Sequence, residues 1–148
     1  MKRKKILFVC TGNTCRSPMA EYVLRQTLKN RKIKWWGVWS RGISAEVGGE
    51  MSQNSQIMLD ELGIEHSKFK PKQLSQKAID DSDIVICMTE MQKFLLQECG
   101  NVKCIKDFCG FDVPDPYGQG VDVYRITRNA IIKACDAIIE NYILKNQE

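Results

Sequence analysis

The sequence predicts an α/β domain: an open parallel sheet with helices on both faces. Three observations lead there. Apolar runs near 6–10, 35–39, 83–88 and 102–105 are each followed, directly or after a loop, by a segment with helical spacing or helix caps, the alternation that builds right-handed βαβ units. The run Ile6-Leu7-Phe8-Val9 is continuous rather than alternating, as suits a strand covered on both faces. It leads straight into Cys10-Thr11-Gly12-Asn13-Thr14-Cys15-Arg16-Ser17, and a loop at the carboxyl edge of such a sheet is where ligands bind.

The first strand is Ile6 to Cys10. Pro18 suits the first turn of the following helix, where a missing N–H is harmless, and Met19, Ala20, Val23, Leu24, Thr27 and Leu28 recur at helical spacing. Trp35, Trp36, Val38 and Trp39 mark a second strand ending near Ser40-Arg41-Gly42, with the tryptophans expected in the core or on a strand face. After a polar loop from Ile43 to Glu50, Ser52 to Leu62 reads as a helix closed by Gly63. His66 falls in an irregular segment and reads as structural. Pro71 is expected to open a short helix, and Asp83-Ile84-Val85-Ile86-Cys87-Met88 is the next buried strand, with Cys87 a small core hydrophobe. Thr89 caps a helix to about Glu98, ended by Gly100, and Val102 to Ile105 is the fourth strand. A loop from Asp107 to Gly120 carries Pro114-Asp115-Pro116-Tyr117-Gly118, and Tyr124, Thr127, Ile131, Cys135, Ile138 and Tyr142 define a long last helix.

Residues 1–148 are expected to form a single domain, a length that typically buries roughly 68–70% of the unfolded chain's surface. The net charge of +4 suits an anionic substrate without demanding one. Basic residues are not gathered among aromatics as nucleic-acid binding requires, and Lys2-Arg3-Lys4-Lys5 reads as a solvated lead-in to the first strand. Its four following apolar residues are too few for a secretory signal, and no stretch approaches a membrane span. The expectation is a cytoplasmic protein without nucleic-acid or membrane partners. Seven cysteines, an odd number, cannot all pair within the chain, and the lone histidine and missing Cys-x-x-Cys speak against zinc. The oligomeric state is left open, a monomer being compatible with everything seen.

Between a strand end and a helix start, backbone N–H groups and the helix dipole stabilise negative charge, and Arg16 adds a permanent cation. Cys10 is therefore a candidate nucleophile in its thiolate form, with Ser17 placed to steady it by a hydroxyl hydrogen bond. Thr11, Gly12, Asn13, Thr14 and Cys15 can wrap a tetrahedral anion with successive N–H groups pointing inward, Gly12 and Asn13 tolerating the unusual dihedrals of such a wrap. The Arg16 guanidinium can grip two phosphoryl oxygens in a planar fork. A nucleoside-triphosphate loop is excluded because its lysine and second glycine are absent. Transfer of a phosphoryl group to a thiolate requires a proton donor for the leaving group. Asp115, stiffened between two prolines, is the candidate acid and then the base for water. Cys15 either fills space or acts as a resolving thiol that forms a reversible disulfide with Cys10 under oxidants.

These residues resemble the low-molecular-weight protein tyrosine phosphatase family over nearly the whole chain: Val9 through Glu21, Ser40-Arg41-Gly42, His66, Asp83 to Thr89, and Asp115-Pro116-Tyr117-Gly118. The resemblance implies a four-stranded parallel sheet, a phosphocysteine on Cys10, Arg16 as phosphate clamp, Ser17 as thiolate stabiliser and Asp115 as acid and base, with phosphorylated proteins as substrates and neither metal nor cofactor. Within the family the chain is more similar to bacterial protein arginine phosphatases. Thr14 stands where tyrosine-specific relatives commonly carry an aliphatic residue, Tyr117 offers one aromatic where they often have two, and Val121-Asp122-Val123-Tyr124-Arg125 matches the arginine pattern. A hydroxyl at Thr14 can hydrogen-bond a guanidinium, whereas a branched aliphatic side chain would leave that group unpaired. Arg41 and the loop from Ser44 to Ser52 depart from the family pattern at the pocket rim. Phosphotyrosine-specific hydrolysis is the first alternative. Arsenate reduction coupled to thioredoxin is the second, with Cys99, Cys104 and Cys109 available for a relay. A binding module without turnover is the third, and it would have no use for an acid at Asp115.

Overall fold

Strand β1 (Lys4–Cys10) sits at the heart of the computed structural model, which describes residues 3–147. Its alternate residues point to opposite layers, Ile6, Phe8 and Cys10 into the larger core and Leu7 and Val9 into a smaller one, the two-sided burial its unbroken apolar run requires. Residues buried as deeply as Phe8 and Ile6 each contribute roughly 1.5–3 kcal/mol relative to exposure.

The remaining elements follow in chain order as α1 (Arg16–Asn30), β2 (Trp36–Gly42), α2 (Gln53–Glu61), α3 (Gln76–Asp80) and β3 (Ile84–Cys87). Then come α4 (Glu90–Leu95), β4 (Val102–Cys104), α5 (Lys106–Cys109) and α6 (Val121–Ile138), with a π-helical turn at Ile139–Ile143. The four strands are parallel in the order β2-β1-β3-β4. Register pairs Cys10 with Gly42 and Val9 with Cys87, so the ends of three strands meet where the phosphate-type loop begins. Helices α1 and α6 pack together over the larger core, and Ile79 of α3 closes the smaller one.

Several local expectations hold on physical grounds. Thr89 caps α4 in a full capping box with Gln92, Ser52 caps α2, and Gly63 adopts φ 70° just past its end. Cys87 is fully buried, and burial pushes its thiol up to about 12.

Others need correction. Pro71 opens no helix: α3 starts at Gln76 behind a Ser75 cap. Residues 72–74 stay extended because Gly42 N–H donates to Lys72 O (2.9 Å) and Leu74 N–H to Gly42 O (2.8 Å). The regular helix after Thr89 ends at Leu95 rather than Glu98. The loop from Asp107 contains the end of α5, stopped by Gly110 at φ 87°. Trp36 is buried and Trp39 half-buried, as a core or strand-face role demands, but Trp35 is 54% exposed with φ 73°. Of the basic lead-in, Lys2 lies outside the described residues, while Lys4 and Lys5 lie over the rings of Trp36 and Trp39.

Candidate active site

The loop from Cys10 to Ser17 is shaped by the chain that runs beside it. Ile43 N–H donates to Cys10 O (3.0 Å), Ser44 to Thr11 O (2.8 Å), Glu46 to Gly12 O (3.2 Å) and Ser52 to Thr14 O (2.8 Å). Four loop carbonyls are thus drawn outward by the 43–52 segment. Among the described residues no protein acceptor takes the N–H groups of Gly12, Asn13, Thr14 or Cys15, so the loop offers them to an anion as a backbone nest at the start of α1.

Gly42 makes this closeness possible. A Cβ there would sit 2.8 Å from Thr11 O and 2.9 Å from Asn13 Cβ. Gly12, by contrast, has no left-handed backbone, and a Cβ on it would meet only Thr14 Oγ1 at 3.5 Å. The left-handed position is Asn13, at φ 57°, which corrects the expectation that both residues take unusual dihedrals.

Asn13 also fixes the direction of the hydrogen bonds behind the nucleophile. Lys72 N–H donates to its Oδ1 (2.9 Å), which orients the amide, and its Nδ2 donates to Ser17 Oγ and Ser40 Oγ, each at 2.9 Å. Ser17 Oγ, already accepting from Asn13, has its own proton for Cys10 Sγ at 2.9 Å. Ser40 likewise donates to Glu21 Oε1 (2.6 Å). Burial raises the Glu21 pKa, an effect opposed by the bonds from Ser40 and Arg25. The chain Glu21–Ser40–Asn13–Ser17–Cys10 therefore presents a hydroxyl donor to the sulfur. The side-chain work of Asn13, Ser40 and Glu21 is invisible in the loop spacing. A buried glutamate on the first turns of α1 is its only trace in sequence.

Arg16, 5% exposed, donates to Val113 O (3.2 Å) and holds its other nitrogen 3.7 Å from Asp115 Oδ2. The Asp115 side chain is 55% exposed, and its Oδ1 accepts from Tyr117 N–H (3.0 Å). Buried Val113 and Pro116 anchor the chain on either side of it. A cavity of about 250 Å³ is lined by Cys10, Thr11, Gly12, Thr14, Cys15 and Arg16 from the loop and by Ser44, Glu46, Asp115 and Tyr117 from its rim. The predicted nucleophile, clamp, acid and selectivity residues thus share one pocket. Ser17 and Asn13 stand behind it. The Thr11 hydroxyl accepts from Gln92 Nε2 (3.3 Å), tying α4 to the loop.

Cys15 lines the same pocket, its Sγ 3.3 Å from Tyr124 OH. Burial, and then this contact, pushes the Tyr124 hydroxyl up to about 12. His66 lies elsewhere, paired with Asp60 (2.7 Å). Neither Cys99, Cys104 nor Cys109 lines the pocket, and burial pushes the Cys104 thiol up to about 12. A larger groove of about 430 Å³ between Arg25, Lys29, Lys34, Trp35 and Trp36 lies at the opposite edge of the sheet, near the start of β2, and is lined by neither a cysteine nor a carboxylate. Chemistry, not size, identifies the site.

The family model described as low molecular weight phosphotyrosine protein phosphatase matches residues 5–148. A protein-arginine-phosphatase of Geobacillus stearothermophilus is 35% identical over 144 residues, covering 92% of this chain and 94% of the relative. The low molecular weight protein-tyrosine-phosphatase Ptp of Acinetobacter johnsonii is 32% identical over 142 residues, covering 93% and 96%. Among solved structures, the YwlE arginine phosphatase from Geobacillus stearothermophilus superposes with a TM-score of 0.85 at 33% identity, over 98% of each chain. A low molecular weight protein tyrosine phosphatase from T. tengcongensis gives 0.88 at 35%, over 93% of this chain and 99% of that one. A family model that matches residues 5–148, together with relatives alike over more than nine-tenths of the chain, places the chain in the low molecular weight phosphotyrosine protein phosphatase family.

Proposed function

We propose that this phosphatase hydrolyses phosphoarginine on proteins through a phosphocysteine intermediate. The Cys10 thiolate attacks phosphorus while the Arg16 fork and the loop N–H groups hold the three equatorial oxygens. As the P–N bond breaks, protonated Asp115 gives its proton to the departing nitrogen, leaving the phosphoryl group bound to Cys10 Sγ and a cationic arginine free to go. Asp115, now a carboxylate, takes a proton from a water that attacks phosphorus. The S–P bond breaks and the Cys10 thiolate returns. Ser17 stabilises that thiolate as leaving group.

The observation that carries the arginine reading is Thr14. The residue is 8% exposed and lines the pocket beside Cys10 and Asp115, yet its hydroxyl meets only Cys15 Sγ, at 3.8 Å. A buried hydroxyl with so weak a partner favours a substrate bearing N–H donors. Exposed Tyr117 at the rim supports the second reading, phosphotyrosine hydrolysis, since its ring can stack on a phenyl group as well as on a guanidinium. The relatives named for either substrate match at similar identity, so the deciding test is kinetic. We expect kcat/KM to favour phosphoarginine over phosphotyrosine peptides, and Thr14→Ile to shift that ratio toward phosphotyrosine. Equal rates, unchanged in the variant, would remove the assignment.

Cys15 is read as the resolving thiol of the same site. Peroxide oxidises the Cys10 thiolate to a sulfenic acid, and the Cys15 thiol then attacks it, forming the disulfide and releasing water. Mass spectrometry of the peroxide-treated enzyme should find a Cys10–Cys15 disulfide in the wild type and sulfinic acid on Cys10 in Cys15→Ser.

A further inference from the structure

Two carboxylates line the pocket, and the mechanism uses one. Asp115 serves as the proton donor and acceptor of the proposed reaction and faces the Arg16 guanidinium at 3.7 Å. Glu46 is the carboxylate that remains. It stands on the rim with Ser44, Asp115 and Tyr117, and its position is fixed by main-chain bonds: its N–H donates to Gly12 O (3.2 Å) and its carbonyl accepts from Gly49 N–H (2.9 Å). The preceding turn is held as well, Ala45 N–H donating to Gln73 Oε1 (2.9 Å) and Gln73 Nε2 to Ile43 O (2.7 Å). Among the described residues the Glu46 side chain enters no ion pair.

A carboxylate at the mouth of a site for a phosphoryl dianion is repulsive unless the substrate brings a cation. Phosphotyrosine joins its dianion to a neutral ring. Phosphoarginine joins the same phosphoryl group to a guanidinium that must cross the rim where Glu46 sits. We propose that Glu46 is a specificity-determining residue that reads the guanidinium charge, attracting phosphoarginine and repelling phosphotyrosine with one group. Specificity of this kind combines an attractive and a repulsive element. Thr14 recognises the N–H donors at short range. Glu46 recognises the charge, which makes its contribution sensitive to salt. This inference rests on the arginine reading of the pocket.

The test uses phosphoarginine and phosphotyrosine with blocked termini, so that the side chain supplies the only cation, assayed with wild type, Glu46→Gln and Glu46→Lys. Glu46→Gln should lower kcat/KM for phosphoarginine about three- to fivefold, chiefly through KM, as expected for an exposed ion pair. It should raise kcat/KM for phosphotyrosine about twofold, and Glu46→Lys should enlarge both changes. The phosphoarginine loss should shrink as NaCl approaches 1 M, where the screening length falls to about 3 Å. A wild type with no phosphoarginine preference would remove the arginine reading and this inference with it. A wild type that prefers phosphoarginine, joined to variants that change both substrates equally, would overturn Glu46 alone. So would an effect confined to phosphotyrosine peptides carrying a neighbouring lysine, which would make Glu46 a reader of flanking sequence.

Discussion

Arg16 and Asp115 face each other across 3.7 Å, yet one is 5% exposed and the other presents more than half its side chain to solvent. The difference extends to the loops that carry them. Residues 10–17 are tied by four outward carbonyl bonds, by Asn13 to three partners, and by Gly42 packed against their backbone. Residues 113–117 rest on two buried anchors and three hydrogen bonds, from Arg16 to Val113 O, from Gln119 N–H to Pro116 O and from Tyr117 N–H to the Asp115 carboxylate. In the proposed mechanism, the half of the site that resists rearrangement while charge builds on phosphorus is the over-determined one. The half that would give up a proton, admit water and accept a proton back is held by fewer bonds. Preorganisation is needed where charge develops, and freedom of movement where the same carboxyl serves two steps.

Substitutions can break each half of this contrast. The largest effect belongs to the rigid half: Cys10→Ser should lower hydrolysis of any aryl phosphate by about 10⁴-fold or more while leaving the thermal midpoint nearly unchanged, since Ser fits the same hydrogen bonds. Residual activity within tenfold of wild type would remove the phosphocysteine. In the loosely held half, Asp115→Asn should lower kcat by about 10²–10⁴-fold, and by less for p-nitrophenyl phosphate, whose leaving group needs no proton, than for a phenyl phosphate. A uniform loss would mean that Asp115 orients the loop instead of moving a proton.

Behind the nucleophile, Asn13→Ala strands Ser17, Ser40 and the Lys72 amide and places a Cβ residue at φ 57° without local compensation. A loss of about 1–3 kcal/mol is expected in denaturant titration. Asn13→Gly should recover the backbone part, about 1 kcal/mol, without restoring kcat. If glycine restores both, the side-chain network has no part in holding the sulfur.

The smallest effect tests the frame around the loop. Glu61 of α2 bonds Arg125 and Arg128 of α6, which lower its pKa to about 2. Because the folded pKa lies below the usual carboxylate value, the stabilisation is complete above about pH 4.5 and disappears as pH falls toward 2. Glu61→Gln should therefore differ from wild type in urea midpoint at pH 7 and match it near pH 2, with kcat at pH 7 unaltered.

How far the sequence could be read follows the range of the interactions. That Cys10, Arg16 and Ser17 would lie together was legible because they sit in one loop, and that Asp115 would join that pocket was legible only once its proline-flanked turn was set beside the Cys-x5-Arg loop. The Asn13–Ser40–Glu21 network joins residues 27 and 19 positions apart, which no local spacing reveals. Pro71 misled for the same reason. A helix there is locally reasonable, but Lys72 and Leu74 are bound to Gly42, and Lys72 to Asn13, across the fold, and those bonds require extended chain. Trp35 was misplaced because a β-type residue pattern does not show that the backbone turns left-handed one residue before β2 begins.

The outward-facing carbonyls of the phosphate loop have a consequence for amide exchange. Protons on Ile43, Ser44, Glu46 and Ser52 are engaged with that loop, so their exchange with deuterium measures how often the 43–52 segment lifts away. Those on Gly12 through Cys15 have no acceptor among the described residues and depend on an anion for protection. Adding phosphate or vanadate would slow the second group far more than the first, dividing two strips of backbone a few ångströms apart into a clock for the scaffold and a gauge of occupancy.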